Sequence, residues 1–394
     1  MKSKRTKKST GILVTIVLTL ALGISQLPAH TYAAEEAPAT ESDRIIVSLG
    51  DSYSSGEGVS PFYGKSNFYT MMEASDTPSA LEDFDFLAHR SEKAWPGQLK
   101  LQNVDGTMAA ADNRGTHWFF AAVSGAEIRH LSQKQPKRFR ILLRSSGTYL
   151  EDSISLPPQL DVFDDPRREG KKIDYITVTI GGNDVGFEQI VTQCALESLY
   201  LDSGKLQQML QSGLKTTKED HVKNGIDAKL EGAYRAIHER APEATILVAG
   251  YPHLFYSTPM LQLPNGKMIR HPLFREAEAR MVNGAIDDFN DIIEAVVKDC
   301  QKDMNIRFVP VADAFGDHGA YDKDPKACCM NGLMETQGND LMTLYDGIFV
   351  NWMPENVMEV ISDYSFHPNS RGVDTYARCV QDAIDALESQ RFPG

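Results

Sequence analysis

Five short runs of apolar, largely β-branched residues constrain the fold of this chain more than any other feature. They are Arg44–Leu49 (RIIVSL), His117–Val123 (HWFFAAV), Tyr175–Ile180 (YITVTI), Thr245–Ala249 (TILVA) and Ile306–Val311 (IRFVPV). Such runs lack the polar alternation of a half-exposed strand, so they suit parallel strands covered on both faces. Helical patterns fall between them. Ile226, Leu230, Ala233, Tyr234 and Ile237 lie on one helical face, and Pro242 stops that helix ahead of the fourth run. A second helix is predicted from about Phe274 to Asp299, with Ala277, Met281, Ile286, Phe289, Ile293 and Val296 or Val297 turned inward. A closing helix after Pro368 carries Tyr376, Val380 and Ile384. This alternation predicts a doubly wound α/β sandwich, whose ligands bind beyond the carboxyl ends of the strands. Three stretches, Pro61–Ala88, Ser132–Pro157 and Gly316–Tyr345, are longer than a minimal sheet needs. They read as irregular loops, either binding walls or tolerated insertions.

The chemistry-bearing residues sit where that sheet would end. The first run leads into Gly50-Asp51-Ser52-Tyr53-Ser54-Ser55-Gly56-Glu57-Gly58. A serine directly after a buried strand and ahead of a helix is presented at the carboxyl edge, as a nucleophile must be, although Asp and Ser also cap helices with no further role. The second run ends in Val123-Ser124-Gly125-Ala126, where a glycine lets its backbone N–H approach a ligand closely. The third ends in Gly181-Gly182-Asn183-Asp184, and an asparagine amide is one of the donors that hold a developing oxyanion. Near the other end, Asp363-Tyr364-Ser365-Phe366-His367-Pro368 sets His367 just before a helix. Each motif alone reads equally well as a turn or a cap. Their order, each beside a strand end or helix start, is what selects a catalytic reading.

Those four blocks, Gly50 to Ser52, Gly125, Gly181 to Asp184 and His367, together resemble the GDSL/SGNH hydrolase family from about Arg44 to Leu387. The extended GDSYSSGEG, with His89-Arg90-Ser91 and Trp95-Pro96 downstream, is similar to the branch of secreted bacterial lipases and esterases. The resemblance implies a three-layer α/β/α, flavodoxin-like fold with a mainly parallel sheet and loop insertions. It implies ester hydrolysis through an acyl-enzyme on Ser52, with His367 as general base and then acid. The oxyanion hole would be the backbone N–H groups of Ser52 and Gly125 with the Asn183 amide. The family usually has an aspartate three residues before the histidine, but Tyr364 stands there and Asp363 lies one place further back. Two orienters of the imidazole therefore remain open, the Tyr364 carbonyl, which is favoured, and the Asp363 carboxylate. The branch often carries disulfide cysteines where this chain has Ala88 and Val123.

The amino terminus reads as an address. Lys2, Lys4, Arg5, Lys7 and Lys8 precede the apolar run Gly11–Gly23, and Thr31-Tyr-Ala-Ala34 offers small residues at a cut. As a helix that run rises roughly 20 Å, short of the roughly 30 Å hydrocarbon core, which favours a signal peptide over an anchor. The expected organisation is a signal peptide over residues 1–34, cleaved near Ala33 or Ala34, a flexible leader over 35–43, and a hydrolase domain over 44–394. Removing five positive charges takes the formal net charge from −14 to −19, which disfavours nucleic-acid binding and adhesion to anionic membranes. Export permits disulfides, and at most two are expected among Cys194, Cys300, Cys379 and one of Cys328 and Cys329. No CxxC or HExxH occurs, so neither a metal nor an organic cofactor is expected.

The sequence therefore points to an exported serine esterase or lipase acting on an acyl lipid or small ester, without integral membrane association after cleavage. The aromatic-rich loop from Phe62 to Phe86 suits an acyl-binding wall. Two alternatives remain: a carbohydrate ester deacetylase on the same fold, and a catalytically inactive surface binding protein.

Overall fold

Each apolar run becomes a strand of one parallel sheet. The computed structural model describes residues 44–64, 84–143, 148–187, 189–190, 204–217, 224–333 and 365–391. In chain order the elements that matter here are β1 (Arg44–Gly50), α1 (Ser52–Ser55), β2 (Trp118–Phe120), β3 (Gln135–Leu143), β4 (Thr148–Leu156), β5 (Lys172–Thr179), α2 (Ile226–Arg240), β6 (Thr245–Ala249), β7 (Met260–Gln262), β8 (Met268–Arg270), α3 (Glu276–Cys300), β9 (Ile306–Val309) and α4 (Ser370–Arg391). The main sheet has the order β2-β1-β5-β6-β9 with every neighbouring pair parallel. Counted by its own strands this is 2-1-3-4-5, the flavodoxin-like order, and its direction of winding reverses between β1 and β5. Every residue of β1 and of β6 is buried, as expected for strands sandwiched between helices.

The helices complete a three-layer α/β/α fold. On one side α2 packs against α3, while α4 contacts the short helix Trp95–Gln98 and β9. α2 buries Ile226, Leu230, Ala233, Tyr234 and Ile237, the stripe its spacing predicted. α3 buries Ala279, Val282, Ile286, Phe289, Ile293, Val296 and Val297. Ala277 is exposed and Met281 only partly buried, because the inward stripe in the first turns runs through Ala279 and Val282 instead. Burying each of the larger side chains in this stripe contributes roughly 1.5–3 kcal/mol.

Arg44 opens β1 as a buried charge, and the fold compensates it fully. Its guanidinium grips Glu388 of α4 through two bonds of 2.6 and 2.7 Å and reaches Asp174 at 3.3 Å, while the Tyr175 hydroxyl donates to Glu388 at 2.5 Å. This network ties the last helix to the amino-terminal end of the sheet, opposite the edge that carries the motifs.

Two expectations change. The stretch Ser132–Pro157 is not irregular: β3 and β4 form a two-stranded antiparallel ribbon outside the main sheet, paired from Gln135↔Leu156 to Leu143↔Thr148. Lys137, Arg138 and Arg140 interrupt any apolar run there, which hides the strand from a reading based on buried strands. Second, Cys300, Cys329 and Cys379, among the residues expected to supply at most two bridges, are free thiols. Cys300 and Cys379 lie on the separate helices α3 and α4, and Cys329 on a loop. Cys194 lies outside the described residues, as do residues 1–43, which include the expected signal peptide and leader, and most of the Phe62–Phe86 loop.

Candidate active site

The turns bearing the first three motifs leave the carboxyl edge of the sheet around the β1/β5 switch point, where a doubly wound sheet opens a crevice. At the end of β1, Gly50 has φ +128, and a Cβ there would lie 2.3 Å from the Thr179 carbonyl oxygen. Only glycine permits so tight an exit from a central strand. Asp51 then caps α1: its carboxylate accepts the Tyr53 N–H at 3.0 Å, the Thr179 hydroxyl at 2.7 Å and the Tyr251 hydroxyl. Ser52 is thereby fixed in the first turn of a four-residue helix that Gly56 closes in the left-handed conformation. It is 7% exposed.

The turn after β2 is fastened to the same place. The Val123 N–H donates to the Gly50 carbonyl at 3.0 Å, and the Ser124 N–H to the Ala88 carbonyl at 3.0 Å. From the outlying ribbon, Gln135 Nε2 at 2.9 Å and Lys137 Nζ at 2.6 Å both donate to the Ser124 carbonyl, orienting the Ser124–Gly125 peptide. Gly125 is exposed at φ +70. Neither the Ser52 nor the Gly125 N–H is taken up by another group among the described residues. Two backbone donors are thus held in place with their hydrogen-bonding capacity unspent.

Asn183 lies on the turn after β5. Its Nδ2 donates to the Ala126 carbonyl at 2.9 Å, which uses one amide hydrogen and leaves the other. The following Asp184 accepts the Ile128 N–H at 2.8 Å, so the second and third blocks are stitched side by side. Tyr251, the second residue after β6, joins the third block to the first. Its hydroxyl accepts the Gly182 N–H at 3.1 Å and donates to Asp51.

His367 is carried by the segment before α4, whose start is capped by Asn369 Oδ1 accepting the Arg371 and Gly372 N–H groups. The Tyr53 ring lies 5.2 Å from the imidazole, centroid to centroid, and its hydroxyl donates to the Phe366 carbonyl at 2.9 Å. Phe366 adopts φ +57, a left-handed conformation unusual for a bulky residue, and the Asn331 backbone pairs with both Phe366 and His367. Tyr364 and Asp363, the two expected orienters, lie outside the described residues.

Two buried carboxyls on either side of the serine helix are shifted in opposite directions. Burial pushes Asp51 up to about 6, against the pull of the Tyr251 and Thr179 hydroxyls and the Tyr53 N–H. Burial would also raise Glu57, but the His89 ring, whose Nδ1 is 2.8 Å from both carboxylate oxygens, outweighs it and holds the carboxyl below its ordinary range. Glu57, His89, Tyr251 and Asn331 have no role in the sequence reading. Glu57 and His89 lie within quoted motif segments, and the position of Tyr251 just past a strand end was a signal that could have been followed. Among the described residues, no group of three or more His, Cys, Asp or Glu is arranged to hold a metal ion.

A hydroxyl at a helix start, uncommitted N–H groups, a side-chain amide and an imidazole around one strand-end crevice form a donor set suited to acyl transfer. Comparison with known proteins points the same way. Residues 48–374 match the sequence model of the GDSL-like lipase/acylhydrolase family. A lipase from Streptomyces rimosus is 27% identical over 316 residues, covering 80% of this chain and 84% of its own. Lipase 1 of Streptomyces coelicolor is 28% identical over 238 residues, covering 60% of this chain and 62% of its own. In three dimensions the chain is similar to a phospholipase A1 from Streptomyces albidoflavus NA297, with a TM-score of 0.50 at 19% identity over 87% of this chain and 99% of that one. The crystal structure of an extracellular lipase from Streptomyces rimosus also gives a TM-score of 0.50, at 21% identity over 86% and 99%.

Proposed function

The chain belongs to the GDSL-like lipase/acylhydrolase family and is a carboxylic ester hydrolase, and on that premise we propose that it works through a Ser52 acyl-enzyme with His367 as general base. The observation that carries this assignment is the pair of unspent N–H groups at Ser52 and Gly125, held by the bond from Val123 to Gly50 on the turns that bear the serine and the glycine. As Ser52 Oγ attacks the ester carbonyl, its proton passes to the His367 imidazole and the carbonyl oxygen becomes an oxyanion. The Ser52 and Gly125 N–H groups and the Asn183 amide receive that charge, each donor being worth roughly 3 kcal/mol in the transition state. Collapse of the tetrahedral intermediate expels the alcohol, which takes its proton from the imidazolium, and water repeats the sequence on the acyl-enzyme.

We assign the substrate as a lipid or simple acyl ester rather than an acetylated sugar. The lipases among the relatives support this choice, and the anionic body favours neutral or zwitterionic esters over anionic surfaces. We also infer export, supported by the basic, apolar and small-residue order of the first 34 residues. No described helix is long and apolar enough to cross a membrane.

The test is a panel of p-nitrophenyl esters of rising chain length, beside acetylated xylan, on the wild type and Ser52→Ala. Turnover should fall by roughly three orders of magnitude or more in the variant. Undiminished turnover would sink the serine mechanism, and activity confined to acetylated xylan would remove the lipid assignment.

A further inference from the structure

We infer that Glu57 is a positioning residue for His367: its buried carboxylate supplies the fixed negative charge that orients the imidazole and steadies the imidazolium formed when Ser52 gives up its proton. The inference rests on the proposed roles of Ser52 and His367. Glu57 follows the glycine that caps the serine helix and is 1% exposed. Leaving a carboxylate there without compensation is strongly unfavourable, so its partners reveal its purpose. His89 is the nearest, at 2.8 Å to both oxygens. A carboxylate can only accept, so the His89 Nδ1 donates. His89 is itself 2% exposed, stacks on Phe62 at 4.9 Å and holds φ +51, a left-handed conformation that must be maintained by its surroundings. A buried polar pair of this kind contributes little to stability compared with apolar residues of the same shape, and this one joins two loops rather than the sheet. Stability is therefore a poor reason for its presence.

The backbone places the pair against the histidine. A Cβ on Gly58 would come 2.2 Å from the Pro368 carbonyl oxygen, so the residue after Glu57 abuts the residue after His367. Asn331 clamps the two segments: its Nδ2 donates to the Gly58 carbonyl at 2.8 Å, and its N–H to the His367 carbonyl at 2.9 Å. Tyr53 closes the other side through its contacts with Phe366 and His367. The stretch 53–58 therefore wraps the segment 366–368.

The groups facing the carboxylate come from three elements: the His89 ring, the Ser124 hydroxyl on the turn after β2, and the His367 imidazole. Lys137, whose ammonium sits on the Ser124 carbonyl, Asp51 at the head of α1 and Asp184 on the turn after β5 are further charged groups on the described turns around the crevice. Glu57 takes no proton in the reaction. Its charge acts through space, favouring the charged form of the imidazole in the way any nearby carboxylate does.

The experiment compares Glu57→Gln, Glu57→Asp, Ser52→Ala and the wild type on one p-nitrophenyl ester from pH 5 to pH 9, with circular dichroism to verify folding. Glu57→Gln should lower kcat roughly ten- to hundredfold with KM within about twofold, since charge stabilisation is needed only in the transition state. It should also move the acid limb of kcat/KM downward by about one pH unit, because the imidazolium loses an opposite charge. Glu57→Asp keeps the charge and should hold the acid limb near its wild-type position even where kcat is reduced. Should Glu57→Gln fail to fold, Glu57→Asp still decides: a downward shift of a full unit in that variant overturns the inference. An unmoved limb and unchanged kcat in Glu57→Gln, with Ser52→Ala inactive, overturn it too. Turnover surviving in Ser52→Ala would instead bring down the serine reading and this inference with it.

Discussion

Tyr251→Phe tests whether the turn bearing Asn183 is held by the group that caps the serine helix. The substitution keeps the ring, which packs edge-on against Tyr53 and Phe187 and at a tilt to Phe289. It deletes a hydroxyl that accepts the Gly182 N–H and donates to Asp51. Losing a donor to a buried carboxylate and leaving a buried N–H without an acceptor should together cost on the order of 3 kcal/mol, read as a lower urea midpoint at pH 7.5. Because Gly182 immediately precedes Asn183, kcat should fall roughly ten- to hundredfold through displacement of the amide.

The pH dependence gives the sharper result. The folded Asp51 carboxyl is raised from 3.8 to about 6, so its contribution is fully present below pH 4 and is lost as pH rises through 6. That loss amounts to about 3 kcal/mol in the wild type. Tyr251 pulls this carboxyl down, so without its hydroxyl the folded value climbs further and more stability disappears between pH 4.5 and pH 7.5. The gap between wild type and Tyr251→Phe must therefore widen with pH over that window. A gap that stays constant or narrows would refute the coupling of Asp51 to Tyr251.

Two other predictions separate the scaffold from the site and the exported chain from its address. Glu388→Ala removes the bidentate partner of buried Arg44 at the far end of the sheet, leaving Asp174 as its carboxylate partner and the Gln102 carbonyl as a further acceptor. Denaturant unfolding should show a loss on the order of 3 kcal/mol while kcat under folding conditions stays within twofold, and a large change in kcat would contradict the separation. Amino-terminal sequencing of the protein recovered from culture medium should find a new terminus near Ala34 or Glu35, and an intact Met1 on the recovered protein would refute cleavage.

The strands were legible because strands buried on both faces leave an unbroken apolar signature, and Thr245–Ala249 matches its run residue for residue. α2 was legible for a related reason, since a single clean stripe and a following proline define it. The β3–β4 ribbon was not, because a strand pair outside the main sheet need not be apolar, and its lysine and arginines resemble a loop. The local placement of Ser52, Gly125 and Asn183 could be read from strand ends, and that of His367 from a helix start. The partners of those residues could not. Glu57 and His89 are 32 positions apart and Asp51 and Tyr251 are 200 apart, and no spacing rule connects a side chain to a partner brought in by the winding of the sheet.

The two carboxyls flanking the serine helix explain why such long-range partners matter. A nearby negative charge would help an imidazolium and hinder an oxyanion, so a site that forms both at once needs its carboxylates treated unequally. Asp51 is next to the Ser52 N–H, and its oxygens are occupied by the Tyr251 and Thr179 hydroxyls and the Tyr53 N–H, with burial disfavouring the charge. Glu57 is five residues beyond Ser52, beside the segment that carries His367, and the His89 ring keeps it charged. The same short stretch of chain thus muffles negative charge where the oxyanion donors lie and preserves it where the imidazolium must form.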